Sequence, residues 1–355
     1  RNAAVIDRVN TTYAVFMGTT MACAQCHTHK YDPITITEYF QSYAFLNQSA
    51  DSDKRDEAPL HEIYPPGVKA QREQWMKDSA AAEAIFKKPD PAWLAGFDEW
   101  LAQKPKLAEK QLKAALEVPS EKRTKAQNNL LRQHYVRNVS AATKAQRAVA
   151  DGLKQQIAQS APVTVPIMQD LPADKRRKTF VQLRGNWQAL GDEVGEGVPP
   201  SLARWEASYP KNRLGLARWI VSRDNPLTAR VTMNRLWESV FGVGIVRSSE
   251  EFGSQGDLPL HPELLDWLAA EFVESGWDTK KMLTLLLNTR AYRQASASVA
   301  QLNEQDPDNR FVARGPRFRP SGEMLRDQAL AVSGLLSAKM FGPPVRPMRP
   351  NMGLS

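Results

Sequence analysis

The sequence predicts a mainly α-helical protein. Apolar residues recur at helical spacing along most of the 355-residue chain, and residues typical of helix starts and stops flank these runs. The alternation typical of strands is confined to two short stretches. The length is enough for two or more domains. We divide the chain into a helical region 1–92, a helical hairpin arm 93–158, a small β-containing joint 159–204 and a helical C-terminal domain 205–355 that ends in a cut.

The N-terminal region begins with an amphipathic helix over residues 1–17. Val5, Val9, Tyr13 and Phe16 repeat at helical spacing, and Gly18 is predicted to end the helix. A second helix follows the loop, with Thr37 as its predicted N-cap. Two apolar helices on either side of one loop form a frame for a bound cofactor.

That loop contains Cys23-Ala24-Gln25-Cys26-His27, which includes both cysteines of the chain. The spacing is typical of covalent haem c attachment: the two thiols reach the two vinyl groups of one porphyrin, and His27 lies under the iron as its proximal ligand. Three other interpretations stay open. In the first, the two cysteines form a redox disulfide. In the second, they are half of a zinc site with His29 as a third ligand. In the third, their spacing is a chance arrangement.

Two further histidines are candidate ligands near this cofactor. His29 binds a propionate, faces a neighbouring haem, or is a loop histidine bonded to backbone. His261 follows a glycine-bearing loop and is a candidate distal iron ligand; the alternative is an N-cap whose ring bonds Glu263 or Asp266. The sixth ligand of the haem iron decides between electron transfer and catalysis. A Met or His in that position gives an electron carrier, whereas an open position permits chemistry on peroxide or small molecules.

The arm differs in composition from the rest of the chain. It is rich in Ala, Lys, Gln, Leu and Glu, and Pro105 and Pro119 interrupt it. We predict helices near 105–117 and 120–157 that form an antiparallel hairpin, either as a solvated surface or as a docking arm. In the joint, alternation near 163–167 and 180–184 predicts two short strands, and the glycines and prolines of 191–200 predict a linker.

The C-terminal domain reads as a series of capped helices. The predicted start and stop residues are Asn212, Pro226, Gly242, His261, Asp278 and Ser321. Arg230 and Arg326 are candidate cofactor-binding residues, because a guanidinium meets carboxylate oxygens in pairs. They would recognise haem propionates or an anionic sugar; the alternative is a structural ion pair with neighbouring acids. Arg314, Arg317 and Arg319 precede the last predicted helix and form one cluster with Arg326.

The chain has a formal net charge of +8. Such an excess of Lys and Arg over Asp and Glu is typical of a solvated surface. The alternative is attraction to an anionic partner such as an acidic redox protein, a polyanionic glycan or a lipid headgroup. Basic residues are not interleaved with aromatics, so no nucleic-acid partner is predicted. No segment is long and apolar enough to span a bilayer. Both ends look like cuts through a longer protein, which leaves room upstream for a signal peptide or a membrane anchor.

Long stretches of the chain resemble one family, the planctomycete-type cytochrome c proteins. The stretches are ACAQCHTHKYDPITITEYF, VTVPIMQDLP with RKTFVQLRGNWQALGDEVGEGVP, NRLGLARWIVSRDNPLTARVTMNRLWESVFGVGIV with EEFGSQGDLPLHPELLDWLAAEFVESGW, and RFRPSGEMLRDQALAVSGLL. The resemblance implies a haem-motif domain of unknown function followed by a companion C-terminal domain. It also implies a periplasmic or otherwise extracytoplasmic location, further haem domains upstream and a secreted sulfatase-like partner. The family usually has an acidic residue where this chain has Thr28.

Three hypotheses follow. The first is a periplasmic c-type cytochrome with one covalent haem, which transfers electrons within a larger redox assembly. The second is a haem enzyme, a peroxidase or an oxidase of sugar-derived substrates. The third is a binding or scaffold protein for partners or glycans. No serine–histidine–acid order, phosphate loop or pair of catalytic carboxylates indicates hydrolase chemistry.

Overall fold

The computed structural model describes residues 1–51, 58–297 and 299–342. Thirteen α-helices and four short strands lie in these ranges, which confirms the mainly α prediction. The chain packs as two compact units, Arg1–Ser49 with the described residues from Leu171 onward, and Ala50–Asp170. The four regions read from the sequence remain predictions, and residues 343–355 of the last one lie outside the described residues.

The first unit begins with α1 (Asn2–Met17), and Gly18 ends it in the left-handed conformation with φ 55°. This end is the predicted one, and glycine adopts such a conformation without a Cβ penalty. Phe16 was predicted on the buried face but is 44% exposed, whereas Met17 is fully buried. The buried residues of α1 follow one another at intervals of four, from Val5 onward. The core position after Tyr13 is therefore Met17, four residues on, and not Phe16, three residues on.

Helix α2 (Ile36–Asn47) starts at Thr35, so the predicted N-cap at Thr37 is wrong. The Thr35 hydroxyl accepts the Glu38 backbone N–H, and the Glu38 carboxylate accepts the Thr35 backbone N–H at 2.7 Å. This reciprocal capping box needs an acid three residues after the cap. Thr37 has no acid or glutamine at that spacing, and it lies inside the helix.

Two strands pack beside α2. Strand β3 (Thr179–Gln182) is antiparallel to β4 (Leu190–Val194), with a bulge between Phe180 and Gln182. The strand predicted near 180–184 is therefore confirmed, and it ends two residues earlier than expected. The linker predicted over 191–200 is wrong in its first part, because 191–194 belong to β4. Gly191 sits against the Leu183 side chain, so the glycine marks a close approach within the hairpin.

The C-terminal helices of this unit are α8 (Arg213–Ile220), α9 (Thr228–Phe241), α10 (Pro262–Glu274), α11 (Thr279–Asn288), α12 (Ala300–Gln305) and α13 (Gly322–Val332). Asn212, Asp278 and Ser321 each accept a backbone N–H at the start of a helix, as predicted. Gly242 ends α9 with φ 89°. The predicted start at Pro226 is wrong, because the side-chain Oδ1 of Asn225 accepts the backbone N–H groups of Leu227 and Thr228 and α9 begins only at Thr228.

Two apolar clusters hold the first unit together. One joins α1, α2, β3 and α8 around the fully buried Trp219. The other joins α9, α10 and α11 around Met233 and Met282. Arg235 of α9 donates to the carbonyl oxygens of Ala14 and Val15, so α9 also contacts α1. Burial of this apolar surface supplies most of the stabilisation expected of such a fold.

The second unit contains the arm. Strand β1 (Leu60–Ile63) pairs antiparallel with β2 (Val163–Pro166), one of the two predicted strands. Its helices are α3 (Val68–Lys87), α4 (Phe97–Ala102), α5 (Lys110–Glu117), α6 (Lys125–Asn138) and α7 (Lys144–Gln159).

The single long helix predicted over 120–157 is wrong. It is interrupted at residues 139–143, where the Thr143 hydroxyl donates to the Val136 carbonyl and the Ser140 hydroxyl donates to the Trp93 carbonyl. Side-chain hydroxyls that bond the backbone compete with the helical hydrogen bonds, and this explains the break. Helix α7 packs along α3, so the arm helices form a bundle with an element outside the predicted arm.

Candidate functional site

Cys23 lies within a short 3₁₀ turn, Ala22–Gln25, that follows α1, and Cys26 is the residue that ends this turn. Ala24 is fully buried and anchors the turn, while Cys23 and Cys26 are both exposed and both free thiols. The Cys26 backbone N–H donates to the Cys23 carbonyl at 3.4 Å. The turn thus presents both sulfurs from one tightly coiled segment. This helix-to-turn setting differs from the strand-to-helix setting that is usual for a redox disulfide.

His27 is exposed directly after this turn. Its Nδ1 lies 2.7 Å from the Thr28 carbonyl oxygen. A carbonyl only accepts, so this contact assigns the proton to Nδ1 and leaves the Nε2 lone pair free. A hydrogen bond from the second ring nitrogen to backbone is the usual way in which a metal-binding histidine is oriented.

Cys26 is packed against the turn between β3 and β4. Gly185 there has φ 71°, and a Cβ added to it would lie 2.6 Å from the Cys26 sulfur. The preceding Arg184 is also left-handed, with φ 53°. The hairpin turn therefore fits closely around one of the two thiols. The sequence offered only a glycine just after the strand predicted near 180–184, and sequence reasoning did not connect it with the cysteines.

His29 is buried at 8% exposure and is held by its own loop. Its Nδ1 accepts the Asp32 backbone N–H at 2.8 Å and lies 3.3 Å from that of Tyr31. Its backbone N–H donates to the Ile34 carbonyl at 2.8 Å. This geometry matches the interpretation of a loop histidine bonded to backbone. The cofactor-binding role of His29 stays a prediction.

The loop over residues 250–256 contacts the motif region at several points. Asp32 accepts from the backbone N–H and the hydroxyl of Ser254, at 2.7 and 2.6 Å. The Phe252 backbone N–H donates to the Gly18 carbonyl at 2.7 Å, and the Thr20 hydroxyl donates to the Glu251 carboxylate. These contacts fix the segments on both sides of the cysteine turn. The glycines of this loop were the only sequence signal for them.

A cleft of about 480 Å³ lies beside the cysteine turn. Met21 and Ala22 line it at the motif end, Arg235 lines it from α9, and Glu250 and Glu251 line it from the loop. It contains charges of both signs next to apolar side chains. Such a mixture suits a polar group at the edge of an apolar ligand.

His261 occupies the predicted N-cap position of α10, but its side chain makes no capping hydrogen bond. Its ring meets Phe311 edge to face, with centroids 6.3 Å apart. The expected ring bond to Glu263 or Asp266 is wrong, since the Asp266 carboxylate pairs with Arg230 instead. The distal-ligand role of His261 stays a prediction.

Arg230 and Arg326 each have an acidic neighbour. Arg230 Nε lies 2.6 Å from Asp266 Oδ1, and the same guanidinium donates to the Pro226 carbonyl. Arg326 lies 3.6 Å from Asp327 on the exposed helix α13. Both arrangements match the structural ion pairs that the sequence left as an alternative. Recognition of haem propionates or of an anionic sugar by these residues stays a prediction.

Within residues 1–51, 58–297 and 299–342, no group of three or more His, Cys, Asp and Glu side chains is placed to hold a metal ion. The same ranges contain no helix with the length and apolar character needed to cross a bilayer, in line with the predicted lack of a transmembrane segment.

Burial also affects the tyrosines under the motif. The pKa of Tyr39 is raised well above its ordinary value by burial first, and then by the nearby Tyr43 and Cys26 groups. Its hydroxyl donates to Asn10 at 3.2 Å. The pKa of Tyr13 is raised by burial in the same core. Both phenols therefore stay neutral and act as hydrogen-bonding core residues.

Two segments of the chain match models of known families. Residues 1–51 match the family model PSCyt2, described as a protein of unknown function (DUF1549), and residues 212–354 match PSD1, a protein of unknown function (DUF1553). No curated protein and no solved structure matches the chain. The cysteine turn lies in the first matched segment, and the loop that contacts it lies in the second. The chain is therefore similar to two families of unknown function, DUF1549 over residues 1–51 and DUF1553 over residues 212–354.

Proposed function

We propose that this protein is an extracytoplasmic c-type cytochrome that holds one haem covalently and transfers electrons within a larger redox assembly. The observation that carries the proposal is the Cys23–Cys26–His27 motif on one exposed turn, with the second nitrogen of His27 bonded to backbone. Two thiols at this spacing, followed at once by an imidazole, are the residues that haem c attachment requires.

The chemistry of the donor set fits this group. Both thiols are free and exposed, so they are accessible to the vinyl groups of a porphyrin. The free Nε2 of His27 is the atom that would ligate iron, because Nδ1 is engaged with the Thr28 carbonyl. A haem bound here would supply one-electron redox chemistry. Cys23 and Cys26 would hold it, and His27 would set its proximal ligation.

A second candidate, a haem enzyme acting on peroxide or sugar-derived substrates, is favoured by the packing of the neighbouring side chains. Met17 and Met21 are buried, and the Met17 sulfur lies 3.6 Å from the Asn225 amide nitrogen. His29 Nδ1 accepts from backbone. Met17, Met21 and His29 are thus engaged in the core and in the motif loop, and none of them is placed to ligate the iron from the second side. This favours a sixth iron position that is open to small molecules.

Location and partners follow from the same proposal. Thioether attachment of haem takes place outside the cytoplasmic membrane, so a cytochrome of this kind is periplasmic or its equivalent. Its partners would be redox proteins, among them further haem domains upstream. The family resemblance adds a secreted sulfatase-like partner. The net charge of +8 would favour docking to an acidic surface.

The test is to export the full chain in cells that mature c-type haem, then record a pyridine haemochrome spectrum and an intact mass. We expect one covalent haem per chain. Replacing both thiols, Cys23→Ser with Cys26→Ser, should abolish it. His27→Ala should keep the thioethers and alter the iron spectrum. His61→Ala, an exposed histidine of β1, is the matched control and should leave the spectrum unchanged.

The outcomes separate the hypotheses. A low-spin spectrum that cyanide does not shift supports the electron carrier. A high-spin spectrum that cyanide shifts, together with peroxide turnover, supports the haem enzyme. A full-length chain that leaves a working maturation system without haem overturns both, and leaves the binding or scaffold hypothesis.

A further inference from the structure

A second cleft in the first unit has a buried, incompletely bonded arginine in its lining. The cleft holds about 320 Å³, within the roughly 300–1,000 Å³ of small-molecule sites. Phe241 and Val243, at and just beyond the end of α9, line one part of it. Arg314, Arg317 and Phe318 line another part. It thus combines aromatic walls with two cationic side chains and one carboxylate, that of Asp308.

Arg314 is only 8% exposed. Its Nη2 donates to the carbonyl oxygens of Asp306 and Pro307, each at 2.9 Å. Its Nη1 is buried and has no hydrogen-bond partner in the part of the chain that the structure describes. A buried charge needs a counter-charge or full hydrogen bonding, so an unsatisfied charged donor destabilises the site.

The acids near Arg314 are engaged with other groups. The carboxylate of Asp306 accepts the backbone N–H groups of Arg310 and Phe311, at 2.7 and 2.8 Å. The carboxylate of Asp308 pairs with Arg247 at 3.1 Å. The two carbonyls that contact Arg314 carry only partial charge. The positive charge of its guanidinium is therefore not matched by either acid of this loop.

Arg317 adds a second cation to the same cleft. Its side chain is exposed, and no hydrogen bond or ion pair to another described residue holds it. Exposed arginines are common and carry no weight alone. Here Arg317 shares a cleft with a buried guanidinium that has a free donor. Phe318, next in the chain, packs against Gly242 and forms an apolar wall.

We infer that this cleft binds a small oxyanion, a carboxylate, sulfate or phosphate group attached to an apolar body. Arg314 lines the cleft and its buried guanidinium has an unpaired donor, Nη1, while Arg317 adds a second, exposed donor group. Guanidinium groups favour such oxygens because their planar forks donate two parallel hydrogen bonds. The aromatic walls would contact the apolar part of the ligand. The inference does not rest on haem binding, because it uses none of the motif residues.

The experiment is isothermal titration of the full chain with sodium phosphate, sodium sulfate and sodium benzoate at constant ionic strength set by chloride. We expect saturable binding of at least one anion, tightest for benzoate because it adds apolar contact. Arg317→Gln should weaken that binding about tenfold, the loss expected for one charge-assisted contact. Arg314→Gln should abolish it.

Arg319→Gln is the matched control, because Arg319 is exposed and two residues away but does not line the cleft. Its affinity should stay within about twofold of the original, as for a general surface charge. Circular dichroism checks folding, and if Arg314→Gln fails to fold, the comparison of the other two variants decides. Absence of saturable binding, or equal weakening in the Arg317 and Arg319 variants, would overturn the inference.

Discussion

Asp32 and Ser254 are 222 residues apart in sequence and share a two-point contact. One carboxylate oxygen of Asp32 lies 2.7 Å from the Ser254 backbone nitrogen and 2.6 Å from its hydroxyl. Asp32 is 8% exposed and follows the cysteine motif, while Ser254 belongs to the DUF1553 segment. The segment that matches the DUF1553 model therefore helps to position the loop that follows the motif. Removing either partner should affect both matched segments.

Replacing Asp32 with alanine should destabilise this unit by about 2–3 kcal/mol. The substitution leaves the Ser254 backbone N–H without its charged acceptor, and hydrogen bonds to charged groups contribute about 1.5–3 kcal/mol. Hydrogen exchange followed by mass spectrometry measures the effect locally. We expect faster exchange in peptides covering 250–256 and 29–34.

Two further variants control for this prediction. Asp32→Asn keeps a side-chain oxygen that accepts hydrogen bonds, so it should show a smaller effect. Asp7→Ala removes an exposed acid from α1 and should leave exchange at both loops unchanged. Equal protection of the 250–256 peptides in Asp32→Ala and the unaltered chain would contradict the role of this contact.

Gly185→Ala should displace Cys26. The added methyl group would lie 2.6 Å from the Cys26 sulfur, closer than two such atoms approach, and the φ of 71° adds a backbone penalty of about 1–2 kcal/mol. Either the hairpin turn or the cysteine turn must move. We expect a changed rate of Cys26 alkylation, measured by peptide mass spectrometry, and lower incorporation of haem if haem attaches here.

The steric part of this effect is separable from the backbone part. Gly276→Ala has the same conformational penalty, with φ 75°, but its new Cβ meets no atom within 4 Å. It should lower stability without changing the alkylation of Cys26. Combining Gly185→Ala with Cys26→Ala should restore part of the lost stability. If the two glycine variants alter Cys26 alike, the packing argument fails.

Asn234→Ala should destabilise the α9 core by about 2–4 kcal/mol. Asn234 is fully buried, its Nδ2 donates to the Val246 carbonyl at 2.9 Å, and its Oδ1 accepts the Val246 N–H at 2.8 Å. Both groups of the 2%-exposed Val246 would lose their partners, at about 1–3 kcal/mol each before relaxation. Thermal unfolding by circular dichroism checks this. Asn288→Ala, at an exposed site on α11, should have little effect.

The local features of the fold were predictable from the sequence. Asn212, Asp278 and Ser321 cap helices because their side-chain oxygens accept an N–H two or three residues away, a chemistry contained within one turn. Gly18 and Gly242 end helices for an equally local reason, the left-handed backbone. Such features depend on neighbours in sequence, so the residue types reveal them.

Features that depend on distant partners were not predictable. The break at 139–143 depends partly on Ser140 bonding the Trp93 carbonyl, and no periodicity reports that contact. In the site, the motif itself was readable from its spacing. The contacts of Cys26 with the Gly185 turn and of Asp32 with Ser254 join segments far apart in sequence. A single sequence carries no signal for which loops meet.

The second unit contains an ion-pair network that should make its stability depend on pH. Glu83 of α3 accepts from Arg137 at 2.9 Å and pairs with Lys154 at 2.7 Å. The hydrogen bond from Arg137 is the main reason why the pKa of Glu83 lies below its ordinary value of 4.5. Asp151 pairs with the same arginine, and its pKa is lowered for the same reason.

A carboxylate with a lowered pKa in the folded state adds stability above its unfolded pKa, and loses it as the pH falls through the folded value. Protection of α3 from hydrogen exchange in the full chain should therefore decrease as the pH is lowered from about 4.5. The comparison needs correction for the pH dependence of intrinsic exchange. Glu83→Gln should cost about 1 kcal/mol at neutral pH and make protection less sensitive to acid. Glu73→Gln, an exposed acid on the same helix, should retain the acid sensitivity. Equal acid sensitivity in Glu83→Gln and the unaltered chain would show that other groups control it.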